Sequence, residues 1–473
     1  MPIRTVTLAM LVALVVAVPA QAGGPGSWTQ LGDANLANID EASLARTPDG
    51  NLHVVWTIPA ANNDTLVHAS ISPAGSASPV NVIQSGWAGI SAVPKLLATP
   101  EGLRIFFGGI RTTNSGETND NLNTATAPAD GSTWTLVPGT VAKGDSAYAS
   151  DMGAALLGDG TPIETWGGTG SGVFVHRGLS EGTPNFPTQG QLGGCCGYSP
   201  DIGVDTKTGA AFVAWYSNAT DKFGVFAQSL DPATGTPSGA AALMPGSTTL
   251  FNGKPNSSQQ LQRTPVAARA GGGVYVAYPG GYPTTNQVRL WRIPDSKSAV
   301  LASSKSDHIV SLAADSEGRL WVLWVERATN LVFARRSDKT ATKFGAPVKV
   351  KAPTGQQTAY KIAGSAQSGA LDVVVLFGGT GPKQAQWHTQ ILPGLALSAP
   401  SKISAKKKAS TVTFTVTDPD PVKGAKVTAG GESASTNAAG KATITLGPTK
   451  AKKITATATK AGYTKGTKTI KVK

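Results

Sequence analysis

The 473-residue chain carries 41 Lys and Arg against 28 Asp and Glu, with 56 Gly, 31 Pro and two Cys. Low charge, abundant Gly and scarce Leu- or Glu-rich runs exclude a helical bundle or coiled coil and indicate an all-β chain of two or three domains. The net charge of +13 is confined to one end: residues 401–473 hold fifteen Lys and no Arg against Asp418, Asp420 and Glu432, a balance of +12, and residues 23–400 sum to zero once Arg4 is set aside.

Residues 1–22 read as a secretory signal peptide. Arg4 supplies the positive start, Leu8 to Val18 an apolar core too short to span a bilayer, and Ala20-Gln21-Ala22 a small-residue cleavage site. No later stretch is apolar enough to cross a membrane, so the mature chain is expected to be secreted or extracellular, without a transmembrane segment.

From Gly50 onward one unit recurs seven times: a turn Gly, a short apolar run, and a closing aromatic residue. The aromatics are Trp56, Phe107, Trp166, Trp215, Tyr278, Trp324 and Phe377, spaced 51, 59, 49, 63, 46 and 53 residues apart. A strand-bearing period near fifty predicts a β-propeller with one four-stranded blade per repeat. In the first blade the strands are expected at Ala42–Arg46, Leu52–Ile58, Thr65–Ser70 and Val80–Ile83, joined by tight turns such as Pro48-Asp49-Gly50. The second strand is nearly all apolar (Val54-Val55-Trp56, Trp321-Val322-Leu323-Trp324), as a strand covered on both faces requires. The seventh repeat lacks a fourth strand. Ser27-Trp28-Thr29-Gln30-Leu31 resembles the second blade's outer strand Ser132-Thr133-Trp134-Thr135-Leu136, so the N-terminal strand is expected to complete the last blade and close a seven-bladed ring. Six blades plus a stray hairpin is the alternative. The propeller is assigned to residues 23–395, a linker to 396–403, and a Lys/Thr-rich all-β unit to 404–473. In that unit Val422-Lys423-Gly424-Ala425-Lys426-Val427-Thr428, Thr436 to Leu446 and Ala461-Gly462-Tyr463 resemble bacterial Ig-like and carboxypeptidase-regulatory-like sandwich domains, which implies an extracellular accessory module.

Ligands of propellers enter at the channel mouth, built by the loops before each first strand and those joining second to third strands. These loops offer Asp40, Val93, Tyr148, Tyr198, Arg263, His308 and Tyr360, then Arg111, Tyr282, Glu326 and Arg327. Tyr198, Tyr148 and Tyr360 give stacking faces with hydroxyls, and Arg263, Arg111 and Arg327 fork onto carboxylate, a set that suits a sugar or small anion, with His308 beside it. These residues equally suit loops that pair only with their neighbours. Cys195 and Cys196 are adjacent in Gly193-Gly194-Cys195-Cys196-Gly197; in an exported chain they are expected to bridge each other as a vicinal disulfide stiffening a turn. No cofactor is expected. Asn119-Asp120 and Asp201 with Asp205 offer oxygen ligands for no more than a weakly held structural Ca²⁺.

The repeat pattern over about residues 27–395 resembles the sialidase-type, BNR-repeat propeller superfamily. Its Asp box finds one short match, Asp130-Gly131-Ser132-Thr133-Trp134. Arg292-Ile293-Pro294 matches an Arg-Ile-Pro motif but falls in the fifth blade instead of the first. A sialidase also implies three Arg on the substrate carboxylate, a Tyr nucleophile with its Glu, and an Asp acid; Arg111, Arg263, Arg327, Tyr282 or Tyr360, Glu326 and Asp40 supply the residue types without matching a motif. Enzyme activity therefore stays open. The expectation is an extracellular binding protein for a glycan or polysaccharide, with a sialidase-like glycoside hydrolase as the alternative and an empty scaffold third. The basic end is expected to adhere to an anionic cell-envelope polymer. Nucleic acid is not expected as a partner, because only Phe414 and Tyr463 interleave the Lys. A monomer is expected.

Overall fold

A computed structural model describes residues 25–473, except 37–39, 61–63, 74, 88, 91–92, 112–120, 143–149, 169–171, 180–196, 218–223, 248–263, 281–286, 304–307, 368 and 380–382. The proposed signal peptide lies outside the described residues. Every regular element described is a strand, and no described helix is long and apolar enough to cross a membrane.

Between Thr29 and Ile391 the strands form seven antiparallel sheets, most of them simple meanders. In the first, Ser43–Arg46, Leu52–Ile58, Asp64–Ile71 and Asn81–Trp87 pair in chain order. The seventh comprises Thr358–Ala366, Leu371–Gly378 and Gln384–Ile391, and its fourth strand is the N-terminal Thr29–Leu36. That strand runs antiparallel to Gln384–Ile391, with Thr29 opposite His388 and Leu31 opposite Gln386. The first strands touch one another in sequence, and Thr358–Ala366 in turn touches Ser43–Arg46, which closes a β-propeller ring.

The second strands explain the packing. Trp321, Leu323 and Val325 lie in one buried cluster with Leu371, Val373 and Phe377 of the seventh sheet. Their alternates Leu320, Val322 and Trp324 lie in another with Tyr275, Val288 and Leu290 of the fifth. A strand buried on both faces has no polar side to present, and hence the continuous apolar runs. Each neighbouring pair of sheets shares such a cluster, and Val374 and Leu376 share one with Leu52, Val54 and Trp56 across the closure. Glycine is obligatory where the chain turns against a neighbour: at Gly102 φ is +135° and a Cβ would lie 2.3 Å from the Ala127 carbonyl oxygen.

Residues 396–472 form two more sheets around one core that includes Val412, Phe414, Val427, Ile444, Ala456 and Ile470. The span 396–403, expected as a linker, is instead partly sheet. Ala396–Ser398 pairs with Ser410–Asp418, and Lys402–Ile403 with Gly466–Val472, because Leu395, Leu397 and Ile403 are apolar enough to enter that core. The unit is docked on the sixth sheet. Arg336 forms a buried ion pair with Asp418, and its guanidinium lies over the rings of Trp321 at 5.5 Å and Tyr463 at 5.9 Å. Arg319 Nη1 lies 2.7 Å from Asp420.

Candidate functional site

The first strands line the channel, and three of them break register near its entrance, at Ser150/Gly153, Tyr198/Asp201 and Ala359/Lys361. A bulge bends a strand and re-aims its side chains. Two bulge residues, Asp151 (φ 53°) and Ser199 (φ 48°), hold left-handed backbone without being glycine, a conformation that costs on the order of 1 kcal/mol.

These bulges assemble a polar ring. Lys95 Nζ donates to Asp201 Oδ1 at 2.9 Å, joining the second and fourth sheets across the third. Asp201 Oδ2 accepts from the Val266 amide of the fifth sheet at 3.0 Å. Gly153 lies beneath, where a Cβ would come within 2.8 Å of the Asp201 Cα. Ser199 Oγ donates to Asp151 Oδ2 at 3.3 Å, and Lys361 Nζ lies 3.7 Å from Asp40 Oδ1. Cations, carboxylates and a hydroxyl thus alternate around the entrance, an arrangement able to hold a polyhydroxylated or charged small molecule.

Of the residues expected at the mouth, Tyr148, Arg263, Tyr282, Cys195 and Cys196 lie outside the described residues. Tyr198 is half-buried. Its ring packs 6.5 Å from Tyr216, which stacks 6.3 Å from Tyr278, so it caps an aromatic ladder between the fourth and fifth sheets. Tyr360 is exposed, within its bulge. His308 opens the first strand of the sixth sheet, opposite Glu326. Arg327 is exposed in the following turn, and Glu326 Oε2 accepts from Thr329 Oγ1 at 2.7 Å. Arg111 is held away from the axis: its guanidinium donates to Asn123 Oδ1 at 3.0 Å and to the Gly139 carbonyl near the sheet's outer strand. Val93 is buried, its carbonyl accepting from the Met152 amide at 3.0 Å. The oxygens weighed for Ca²⁺ serve protein donors. Besides Asp201, the Asp205 carboxylate accepts from the amides of Gly273 at 2.6 Å, Lys207 at 2.8 Å and Thr208 at 3.1 Å. Among the described residues no group of three His, Cys, Asp or Glu is arranged to hold a metal.

Lys95, Asp151, Ser199, Asp201 and Lys361 escaped the sequence reading as site residues. A signal existed in Val93-Pro94-Lys95, Ser199-Pro200-Asp201 and Thr264-Pro265-Val266, where Pro sits in the same register before or within a first strand. Aligning on Pro brings Lys95 and Asp201 together; aligning on Tyr does not.

The strongly perturbed acids and bases lie elsewhere. Glu164 is fully buried toward the hairpin-turn end of its strand, 3.1 Å from His176 Nδ1, and desolvation pushes its carboxyl up to about 7. His53 Nδ1 and His68 Nε2 are 2.9 Å apart, with His68 Nδ1 2.9 Å from Asn81 Oδ1. Burial lowers both imidazoles, His68 to about 4, so each shares its one proton along a neutral chain.

No family model matches this chain, and no curated protein matches it. Solved structures do. An α-L-arabinanase from Penicillium chrysogenum, bound to arabinobiose, is 12% identical with a TM-score of 0.41, covering 79% of this chain and 97% of its own. An ulvan lyase is 12% identical with a TM-score of 0.44, covering 78% and 94%. The fucose-specific lectin of Aleuria aurantia is 16% identical with a TM-score of 0.38, covering 76% and 93%.

Proposed function

We propose that the chain is an exported, extracellular, monomeric binding protein that recognises a glycan or polysaccharide at the channel entrance. In this reading the seven sheets are the seven blades of a propeller, and residues 396–473 are an Ig-like accessory sandwich. The observation that carries the reading is the ring of Lys95–Asp201, Ser199–Asp151 and Lys361–Asp40. It is built on backbone that no core-packing demand explains, and strain of this kind marks positions held for a ligand. No cofactor is needed for binding of this sort. Sialidase-like hydrolysis is the second reading, favoured only by the residue types at the mouth; Arg111, one of its three guanidinia, is already engaged by Asn123 and Gly139.

The docked sandwich suits adhesion to an anionic envelope polymer. Asp418 and Asp420 are taken up by Arg336 and Arg319, which leaves Glu432 alone against fifteen Lys. Register sets Lys402 beside Lys471 and Lys471 beside Lys453, all three exposed, and like charges held side by side favour a polyanion.

The test is a glycan and polysaccharide array probed with the full mature chain, beside Lys95→Gln and Tyr198→Ala. Selective binding that Lys95→Gln abolishes supports the entrance site and justifies assays for turnover. A blank array, or binding that both variants retain, removes it.

A further inference from the structure

Seven of the ten tryptophans are buried. The other three, Trp28, Trp134 and Trp387, are half-buried, and two of them line one cleft. The cleft, about 690 Å³ and open to solvent, lies at the closure of the ring. It runs between the start of the N-terminal strand and the outer strand of the sixth sheet, Val348–Lys351, with Ser27 and Thr354 on its rims. It is remote in the fold from the channel entrance, being formed by outer strands.

Trp28 is fixed rather than merely exposed. Its indole stands edge-on to Phe377 with centroids 5.3 Å apart, and its Nε1 donates to the Lys351 carbonyl at 2.6 Å. Val348 and Val350 of the facing strand pack on the buried cluster between the sixth and seventh sheets. Their alternates Lys349 and Lys351 therefore share the other face, both exposed. No carboxylate lines the cleft, and neither Lys forms an ion pair among the described residues. The cleft thus offers an immobilised indole, a second indole, two unneutralised ammonium groups on one face and hydroxyls on the rim.

We infer that this cleft binds an acidic oligosaccharide whose rings carry carboxylates, a uronic-acid chain. The apolar face of a pyranose stacks on indole, and Trp28 brings that face without further loss of side-chain freedom. Ammonium groups answer carboxylates as point charges on flexible stems, which suits a ligand whose charges recur along a chain. The volume falls in the range of roughly 300–1,000 Å³ usual for ligand clefts.

The experiment is calorimetric titration of the full mature chain with tri- and hexagalacturonate. A neutral galacto-oligosaccharide and a short poly-glutamate peptide serve as comparison probes, and the variants are Lys349→Gln/Lys351→Gln and, as a charge-matched change elsewhere, Lys406→Gln/Lys407→Gln. The expected result is saturable binding of the galacturonates, weakened about tenfold or more in the cleft variant and less than about twofold in the other, with tryptophan fluorescence changing in parallel. Both pairs are exposed lysines, so loss of folding is not the explanation of a difference. The inference is overturned by absence of galacturonate binding at millimolar concentration, by equal loss in both variants, or by equally tight binding of the neutral sugar or the peptide.

Discussion

Arg336→Met tests what docks the C-terminal sandwich. Asp418 and Arg336 keep 2% and 4% of their side-chain surface exposed, and removing one partner of so buried a pair costs about 3–5 kcal/mol. The cost has a pH signature. Desolvation pushes Asp418 up to about 6 from its ordinary 3.8, with Arg336 the leading opposing influence. A carboxyl raised in the folded state binds its proton more tightly there than in the unfolded chain. Its contribution is therefore fully present below about pH 4 and is lost as pH rises to about 6, some 3 kcal/mol in all. Without Arg336 the carboxyl rises further and the loss continues beyond pH 6. The variant's deficit is thus small at pH 5, where both forms hold a mostly neutral Asp418, and full by pH 8. Calorimetry and urea unfolding of the full chain at both pH values measure it. Arg336→Met/Asp418→Leu, which removes the buried charge as well, is expected to return to within about 1 kcal/mol of the parent at pH 8. A deficit independent of pH, or a double variant no better than the single, would refute the reasoning.

Burial holds His68 near 4, the opposite sign: a base lowered on folding stabilises above about pH 6.5 and loses that contribution as pH falls to about 4. The parent is expected to lose about 3 kcal/mol relative to His68→Gln across that window, read as the difference in urea midpoints, and a flat difference removes the imidazole chain as the source. Gly102→Ala drives a Cβ onto the Ala127 carbonyl and is expected to cost about 2–4 kcal/mol, whereas Gly158→Ala, with nothing within 4 Å, stays within about 0.5 kcal/mol in the same melts. Trp56→Ala, at a side chain 2% exposed in the cluster that spans the closure, is expected to cost about 3–5 kcal/mol of thermal stability, and a smaller loss means that the seam collapses around the cavity.

The ring was legible because its cause is local. Each repeat writes a turn Gly, an apolar run and an aromatic, and the apolar run reports burial on both faces, as Leu320 to Val325 bear out by sending alternate residues to opposite neighbours. The closing strand was legible from Ser27-Trp28-Thr29 for the same reason. The entrance was not. Tyr and Arg were chosen there for their chemistry, yet Tyr198 is spent on a ladder with Tyr216 and Arg111 on Asn123 and Gly139. The side chains that meet, Lys95 and Asp201, are 106 residues apart and join only when the channel is curved into a ring. Nor does composition reveal that 396–403 is sheet, since Leu395 and Leu397 acquire a core only through strands that follow them.

Two places depart from what the repeat alone would dictate, and they depart differently. At the entrance the departure is in the backbone: Asp151 and Ser199 occupy a region of φ that glycine would fill at less cost, in strands whose other turns use glycine freely. At the closure it is in the side chains. Indoles that every buried position would welcome are instead left half in water beside Lys349 and Lys351. Neither departure stabilises the ring, since strain and half-exposed tryptophan both weaken it. A fold that repeats one solution seven times has little reason to abandon it twice for packing, so both departures are best explained by what approaches from solvent. Because one lies on first strands and the other on outer strands, a ligand at one leaves the other open, and a long polysaccharide crossing the face of the ring would meet both.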